Sequence, residues 1–325
     1  MATAEQIKAL LESHVEGDDD RFLSTVLQLA EHAARRGHGK LAQELRAMID
    51  KAREAERPGS RPPTPLAQPR GELAGLLGAS YPQTRLADMI LAPDIREQLD
   101  RVVREQRQRD KLAERRLHPR RKLLLVGPPG TGKTYSARAL AGELHLPLFT
   151  VALDSVIARY TADTAAKLRL VFEAAARTRG VYFFDDLDAL GGERANPGDV
   201  GEARRTLSSF LQFIEQDESD SLLVAAIHHG AVLDRALFRR YDDLIEFAMP
   251  DPERVLQTLQ ARLAAMAPTS IDWNLIAKAG AGLSYADLVW ACDDAAKDAV
   301  LNDRTEIATR AVVAALQRRH KPTRQ

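Results

Sequence analysis

The chain has 325 residues, 45% hydrophobic and 28% charged, and its acidic and basic side chains balance to a formal net charge of zero. That length allows one large domain or two to three smaller ones with sizeable cores, and the neutral balance removes any whole-molecule bias toward nucleic acid or an anionic membrane. A single cysteine, Cys292, excludes an intrachain disulfide and fits a reducing cytoplasm, no apolar run reaches the length of a membrane span, and the first twenty residues lack the layout of a signal peptide.

Residues 3–57 read as helical. Ile7, Leu10, Leu11 and Val15 share one helical face; Phe22, Val26, Leu29 and Ala33 make a second stripe. After a break at RGHG (36–39), Leu41, Leu45, Met48, Ile49 and Ala52 make a third. Three short amphipathic helices can bury these stripes against one another, which predicts a small helical domain over residues 1–57. Five prolines in residues 58–71 then rule out helix and predict an extended, semi-rigid linker.

Beyond the linker, apolar runs alternate with helical patterns. KLLLVG precedes a helix from near Lys133, LPLFTVAL a helix near 164–179, and VYFFDD a helix near 201–216. SLLVAAIH precedes a short helical stretch, and DLIEFAMP closes the set. Such alternation predicts an α/β domain over 72–250, with a parallel five-stranded sheet flanked by helices. From about residue 252 only helical stripes remain, in PERVLQTLQARLAAM, IDWNLIAKAG, SYADLVWACDDAAKDAVLND and EIATRAVVAALQRR, so 251–325 is expected to form a helical unit.

GPPGTGKT, residues 127–134, fits G-x-x-x-x-G-K-[ST] between a strand pattern and a helix pattern, the context that this motif needs. Gly127, Gly130 and Gly132 let the backbone turn its N–H groups toward phosphate oxygens, and the helix adds its positive N-terminal end. Lys133 would reach the β- and γ-phosphates of ATP, and Thr134 would place its hydroxyl on Mg²⁺. Pro128, Pro129 and Thr131 complete the loop, and Tyr135 follows it. The plainer alternative, a glycine-rich turn with an exposed lysine, does not account for all the fixed positions.

VYFFDD, residues 181–186, runs four apolar residues into two carboxylates. Val181 to Phe184 suit a central strand buried on both faces. Asp185 at its end would face the Thr134–Mg²⁺ site, and Asp186 would orient and polarise the attacking water. Most such enzymes carry glutamate second, and aspartate is shorter by one methylene. A displacement of roughly 1 Å can cost on the order of a hundredfold in rate, so hydrolysis is expected at reduced efficiency. The alternative is that Asp186 caps the next turn. Asp188 reads as local structure. RRLHPRRK, 115–122, is the densest basic run; without interleaved aromatics it reads as a solvated helix and turn rather than a nucleic-acid surface.

These residues resemble the AAA ATPases over about three quarters of the chain, from Arg85 to Arg319. GPPGTGKT is similar to the family's Walker A and VYFFDDLDAL to its Walker B. AAIHHGAVLDRALFRRYD (225–242) resembles its second region of homology, and GLSYADLVWACDDAA (282–296) its lid motif, with Tyr285 in place of a glycine. The resemblance implies an α/β wedge with a helical lid, ATP and Mg²⁺ as ligands, a homo-oligomeric ring, usually a hexamer, and a protein substrate. It places Arg239 and Arg240 at the arginine fingers that reach a neighbour's γ-phosphate. It puts His228 at a sensor position that is usually asparagine, Met89 and Ile90 against the adenine, and Tyr160 in the substrate-gripping pore loop; 191–205 looks like a second pore-facing loop. The layout is similar to katanin-type and spastin-type remodellers, whose small N-terminal helical domains recruit substrates. The wording of the core resembles bacterial members encoded beside a subtilisin-like protease. Together these imply a cytoplasmic ATP-driven protein remodeller. The alternative is a nucleotide-gated assembly scaffold with slow hydrolysis, motivated by Asp186 and His228; a nucleic-acid motor ranks last.

Overall fold

The computed structural model describes residues 69–157, 163–188, 200–228, 238–268 and 270–320. The expected N-terminal helices, most of the proline-rich linker, Tyr160, His229 and residues 191–199 of the second pore-facing loop lie outside the described residues.

Six strands form one sheet: β1 (Leu77–Ser80), β2 (Lys122–Val126), β3 (Leu148–Val151), β4 (Val181–Phe184), β5 (Leu222–Ile227) and β6 (Asp243–Glu246). Their order is β1-β3-β4-β5-β2-β6. This corrects the expected five-stranded parallel sheet: β1 is a sixth strand, antiparallel to β3, with Leu77 opposite Val151 and Ser80 opposite Leu148. β1 reads LGAS and has only one fully buried side chain, Leu77. An edge strand of this kind is held by backbone hydrogen bonds, and a glycine, an alanine and a serine leave no apolar alternation to detect. The other pairings are all parallel.

Around the sheet run α1 (Pro93–Arg107), the short α2 (Arg109–Ala113), α3 (Lys133–Leu144), the short α4 (Leu153–Ile157), α5 (Asp163–Arg177) and α6 (Val200–Gln216). Both faces of the central strands are therefore covered, and β4 and β5 are buried at every residue. Successive residues still go to opposite cores. Tyr182 and Phe184 join one cluster with Leu124, Leu223 and Ala225; Val181 and Phe183 join the other with Leu123, Leu125 and Val224. The first cluster is aromatic at its centre: the Phe184 ring lies 5.1 Å from that of Phe210 and 5.8 Å from that of Phe172.

Four more helices follow: α7 (Pro252–Leu263), α8 (Trp273–Gly280), α9 (Tyr285–Leu301) and α10 (Thr309–His320). They enclose a core of their own, including Val255, Leu259, Ile276, Leu288, Cys292 and Leu316. Side chains satisfy orphan N–H groups at three of the helix starts: Asp251 accepts from Arg254 N–H, Asp272 from Leu275 N–H, and Ser284 from Asp287 N–H.

Part of the basic run at 115–122 is internally neutralised. Arg120 pairs with Glu105 at 3.0 Å and Asp243 at 3.5 Å, Arg121 pairs with Asp217, and Lys122 is buried; Arg115 and Arg116 are exposed. Among the described residues, no helix is long and apolar enough to cross a membrane.

Candidate nucleotide-binding site

The strand order decides what meets at the carboxyl end of the sheet. β2 lies between β5 and β6, although β3 follows it in the chain, so the connection after β2 crosses over two strands. Such a switch point leaves a crevice at the strand ends, the usual ligand site in open α/β sheets. There β2 delivers Gly127–Thr134, β4 delivers Asp185 and Asp186, and β5 delivers His228. Register keeps these ends level: Phe184 stands beside Ala225, Val126 beside Ile227, and Gly127 N–H donates to Ile227 O at 3.2 Å.

The loop between β2 and α3 could not be built from ordinary residues. Gly130 has φ +75° and Gly132 φ +108°, and Gly132 is the N-cap of α3 without any side-chain cap. A phosphate could therefore take the first N–H groups of α3 without displacing a capping side chain. Thr131 Oγ1 closes the loop on Pro128 O at 2.8 Å. Lys133 is only 4% exposed, and its Nζ donates to Gly127 O (2.6 Å), Pro128 O (3.0 Å) and His228 Nδ1 (3.2 Å). Burial holds this ammonium below the usual lysine range, against the opposing pull of Asp185, Asp186 and Asp188.

Thr134 is exposed, and its Oγ1 donates to Asp185 Oδ2 at 2.9 Å. Burial pushes the Asp185 carboxyl above its ordinary range; the Thr134 hydrogen bond opposes that rise and the Asp186 charge adds to it. A hydroxyl and a carboxylate oxygen side by side at a phosphate loop suit Mg²⁺, which retains waters and takes other ligands from phosphates. Among the described residues no group of three or more His, Cys, Asp or Glu is arranged to hold a metal by itself.

Asp186 has φ +52°, a left-handed conformation unusual for a side-chain-bearing residue. Its Oδ1 lies 2.5 Å from His228 Nε2. His228 thus touches Lys133 through one ring nitrogen and Asp186 through the other, while its backbone N–H donates to Asp188 Oδ2 at 3.4 Å.

Met89 flanks the loop: its Sδ accepts from Ser136 Oγ at 4.0 Å, and its Cε would lie 3.7 Å from a Cβ added at Gly132. Ile90 is half-buried, Pro129 exposed and Tyr135 44% exposed. Arg239 is exposed, whereas Arg240 donates from Nε to Glu215 Oε2 of α6 at 3.1 Å.

Three contributors were not visible as site residues in the sequence. Asp188, read as local structure, tethers the backbone of His228. Glu215 holds Arg240 from another element. Ser284 stands at the phosphate loop, where a Cβ on Gly130 would come within 2.5 Å of its Oγ, and Ala286 N–H donates to Gly130 O at 3.1 Å. The serine followed three residues later by Asp287 was a capping signal available in the sequence; its contact with Gly130 had no local signal.

Comparison with known proteins gives a consistent answer. The sequence model of the ATPase family associated with various cellular activities (AAA) matches residues 123–249. An uncharacterized AAA family ATPase of Sinorhizobium fredii, y4kL, is 31% identical over 318 residues, 98% of this chain and 95% of that protein. The ATP-dependent zinc metalloprotease FtsH of Helicobacter pylori is 31% identical over 259 residues, 76% of this chain. FtsH of Acidimicrobium ferrooxidans is 36% identical over 195 residues, 57% of this chain. The chain spans only 41% of the first FtsH and 29% of the second. A relative matched at this identity along nearly its whole length, together with the family match over β2 to β6, settles the family: the chain belongs to the AAA ATPases.

Proposed function

We propose that this AAA ATPase is a protein remodeller, working as a homo-oligomeric ring of the hexameric kind in the cytoplasm and coupling ATP turnover to force on a polypeptide. The observation that carries the reading is the convergence of Lys133, the Thr134–Asp185 pair, and Asp186 with His228 at the ends of three adjacent strands. In this reading the loop 127–134 binds the phosphates, Met89 and Ile90 form the apolar wall for the adenine, and Tyr135 lies beside it. Thr134 and Asp185 hold Mg²⁺, which when bound neutralises phosphate charge. Arg240 is tied to Glu215, so the exposed Arg239 is assigned as the finger that reaches a neighbouring subunit's γ-phosphate.

Residues 1–57 are assigned to substrate recruitment, with 58–71 as their linker, 72–250 as the nucleotide-binding domain and 251–325 as the lid. Several relatives are named as ATP-dependent proteases. That supports polypeptide handling on behalf of a protease, and a separate subtilisin-like protease is the partner proposed. Tyr160 is the proposed gripping residue, since an aromatic ring can hold extended chains with little regard for sequence.

ATP hydrolysis measured with and without casein, an unfolded polypeptide, tests this reading. Casein should stimulate the rate, and Tyr160→Ala should abolish the stimulation while keeping the basal rate. Stimulation that survives Tyr160→Ala contradicts threading. The shorter Asp186 favours one second reading, a nucleotide-gated scaffold; that reading predicts nucleotide-dependent oligomers with negligible turnover whether or not casein is present.

A further inference from the structure

α9 buries one side in the core of α7–α10, through Leu288, Ala291, Cys292, Ala295 and Ala299. Away from that core stand Trp290, Asp294, Lys297 and Leu301. They are spaced by four, three and four residues, so at about 3.6 residues per turn they share one face. Leu301 is 80% exposed and Trp290 54% exposed, with the Arg319 guanidinium of α10 stacked on the indole at 5.2 Å. Lys297 is exposed and makes no ion pair among the described residues. Asp294 pairs with Arg319 at 3.0 Å, yet its side chain stays 43% exposed and its carboxylate keeps lone pairs to spare. Single exposed apolar residues are ordinary on a protein surface. Here two of them, about 16 Å apart along the helix, bracket an acid and a base in the order Trp, Asp, Lys, Leu. Turned end for end, that order is its own complement.

We propose that this face of α9 is a contact between two copies of the chain, related by a two-fold axis that crosses the helix between residues 295 and 296. Antiparallel pairing sets Trp290 against the partner's Leu301 and Asp294 against the partner's Lys297, and the axis repeats both contacts on the other side. Parallel pairing would set Asp294 on the partner's Asp294 and Lys297 on the partner's Lys297, and like charges in register repel. The charge order therefore selects both the occupant and its direction. A face that needs a base opposite Asp294 and an acid opposite Lys297, with an apolar group beyond each, is met by a second copy of itself. The Trp290 ring supplies the anchor, since tryptophan gives up much apolar area to water when exposed and carries a large share of the energy in interfaces that cover it. One helix face is a small interface of the transient kind, so the association is weak. A two-fold contact closes on itself, whereas an arginine that reaches into a neighbour's site makes a head-to-tail contact. The pairing is thus separate from the ring contact proposed for Arg239, needs no nucleotide, and joins either two free chains or chains of two different rings.

Sedimentation of the full chain without nucleotide, at chain concentrations from about 1 to 100 μM, tests the pairing. The average mass should rise with concentration. Leu301→Asp should weaken the association about tenfold and leave the Tm unchanged, because the side chain is exposed in the single chain. Cross-linking reads the register. Cys292 is fully buried and is the only cysteine of the chain, so an introduced thiol reacts alone. Under mild oxidation, Asp294→Cys chains mixed with Lys297→Cys chains should give a disulfide-linked pair, and either variant by itself should link far less. A chain that stays monomeric over the whole range, association that appears only with ATP, association that Leu301→Asp leaves unchanged, or single variants that link as well alone as mixed would each overturn the two-fold contact.

Discussion

Gly130→Ala separates backbone strain from the contact between the phosphate loop and the start of α9. Gly130 has φ +75°, and an added Cβ would lie 2.5 Å from Ser284 Oγ, 2.9 Å from Ser284 Cβ and 3.2 Å from Ala286 Cβ. Left-handed backbone costs a non-glycine residue about 1–2 kcal/mol. Forcing a methyl into filled space costs about 1–3 kcal/mol. The substitution should therefore destabilise the nucleotide-free chain by roughly 2–5 kcal/mol and weaken ATP binding through the distorted loop. Ser284→Gly removes the two closest atoms and, as an N-cap change from serine to glycine, costs only a few tenths of a kcal/mol by itself. Placed in the Gly130→Ala background, it should recover the contact part, about 1–3 kcal/mol, and leave the conformational part. Thermal unfolding of the four chains without nucleotide reads this out, since each kcal/mol moves the Tm by about 2–4 °C for a domain of 150–250 residues. Strictly additive shifts would refute the close approach, because independent sites do not rescue one another.

Asp185 should show a trade between stability and function. Its folded pKa is raised above the ordinary value of 3.8, so its contribution to stability is fullest below that value and is lost as pH rises through the raised native one. Asp185→Asn should therefore raise the Tm of the nucleotide-free chain at neutral pH, have no such effect below the ordinary carboxylate range, and abolish Mg²⁺-dependent ATP binding; an equal gain at all pH values would contradict the burial argument. Cys292 is fully buried in the core of α7–α10, where burial pushes its thiol up to about 12. It should resist an aromatic disulfide reagent at mildly alkaline pH until denaturant opens that core, and rapid stoichiometric labelling of the native chain would contradict the packing.

What the sequence made legible was chemistry carried by short spacings. The phosphate loop and the paired aspartates are contiguous in the chain, and their flanking apolar runs mark buried strands. His228 could be placed at a strand end for the same reason. What joins these residues could not be read. Lys133 and His228 are 95 positions apart, and they meet only because β2 pairs with β5 rather than with its sequence neighbours β1 and β3. Asp186 looked like a weakened substitute for glutamate because a methylene is visible in sequence, whereas a left-handed backbone that carries its carboxylate to an imidazole is not. β1 was missed because LGAS is held at an edge by backbone pairing. Arg239 and Arg240 were indistinguishable as adjacent letters; the pairing of Arg240 with Glu215 of α6, which leaves Arg239 as the proposed finger, had no local signal.

The most direct test of the proposed ring is complementation between two defective chains. Lys133→Ala removes the ammonium proposed to bind phosphate but keeps Arg239; Arg239→Ala keeps the proposed nucleotide site but removes the proposed finger. Each should be inactive alone, and wild-type specific activity should rise with protein concentration. Mixing the two variants should restore ATP hydrolysis, because a Lys133→Ala subunit can supply its arginine to the intact site of its neighbour. Activity in Arg239→Ala alone, or a mixture that co-assembles yet stays inactive, would contradict active sites completed between subunits.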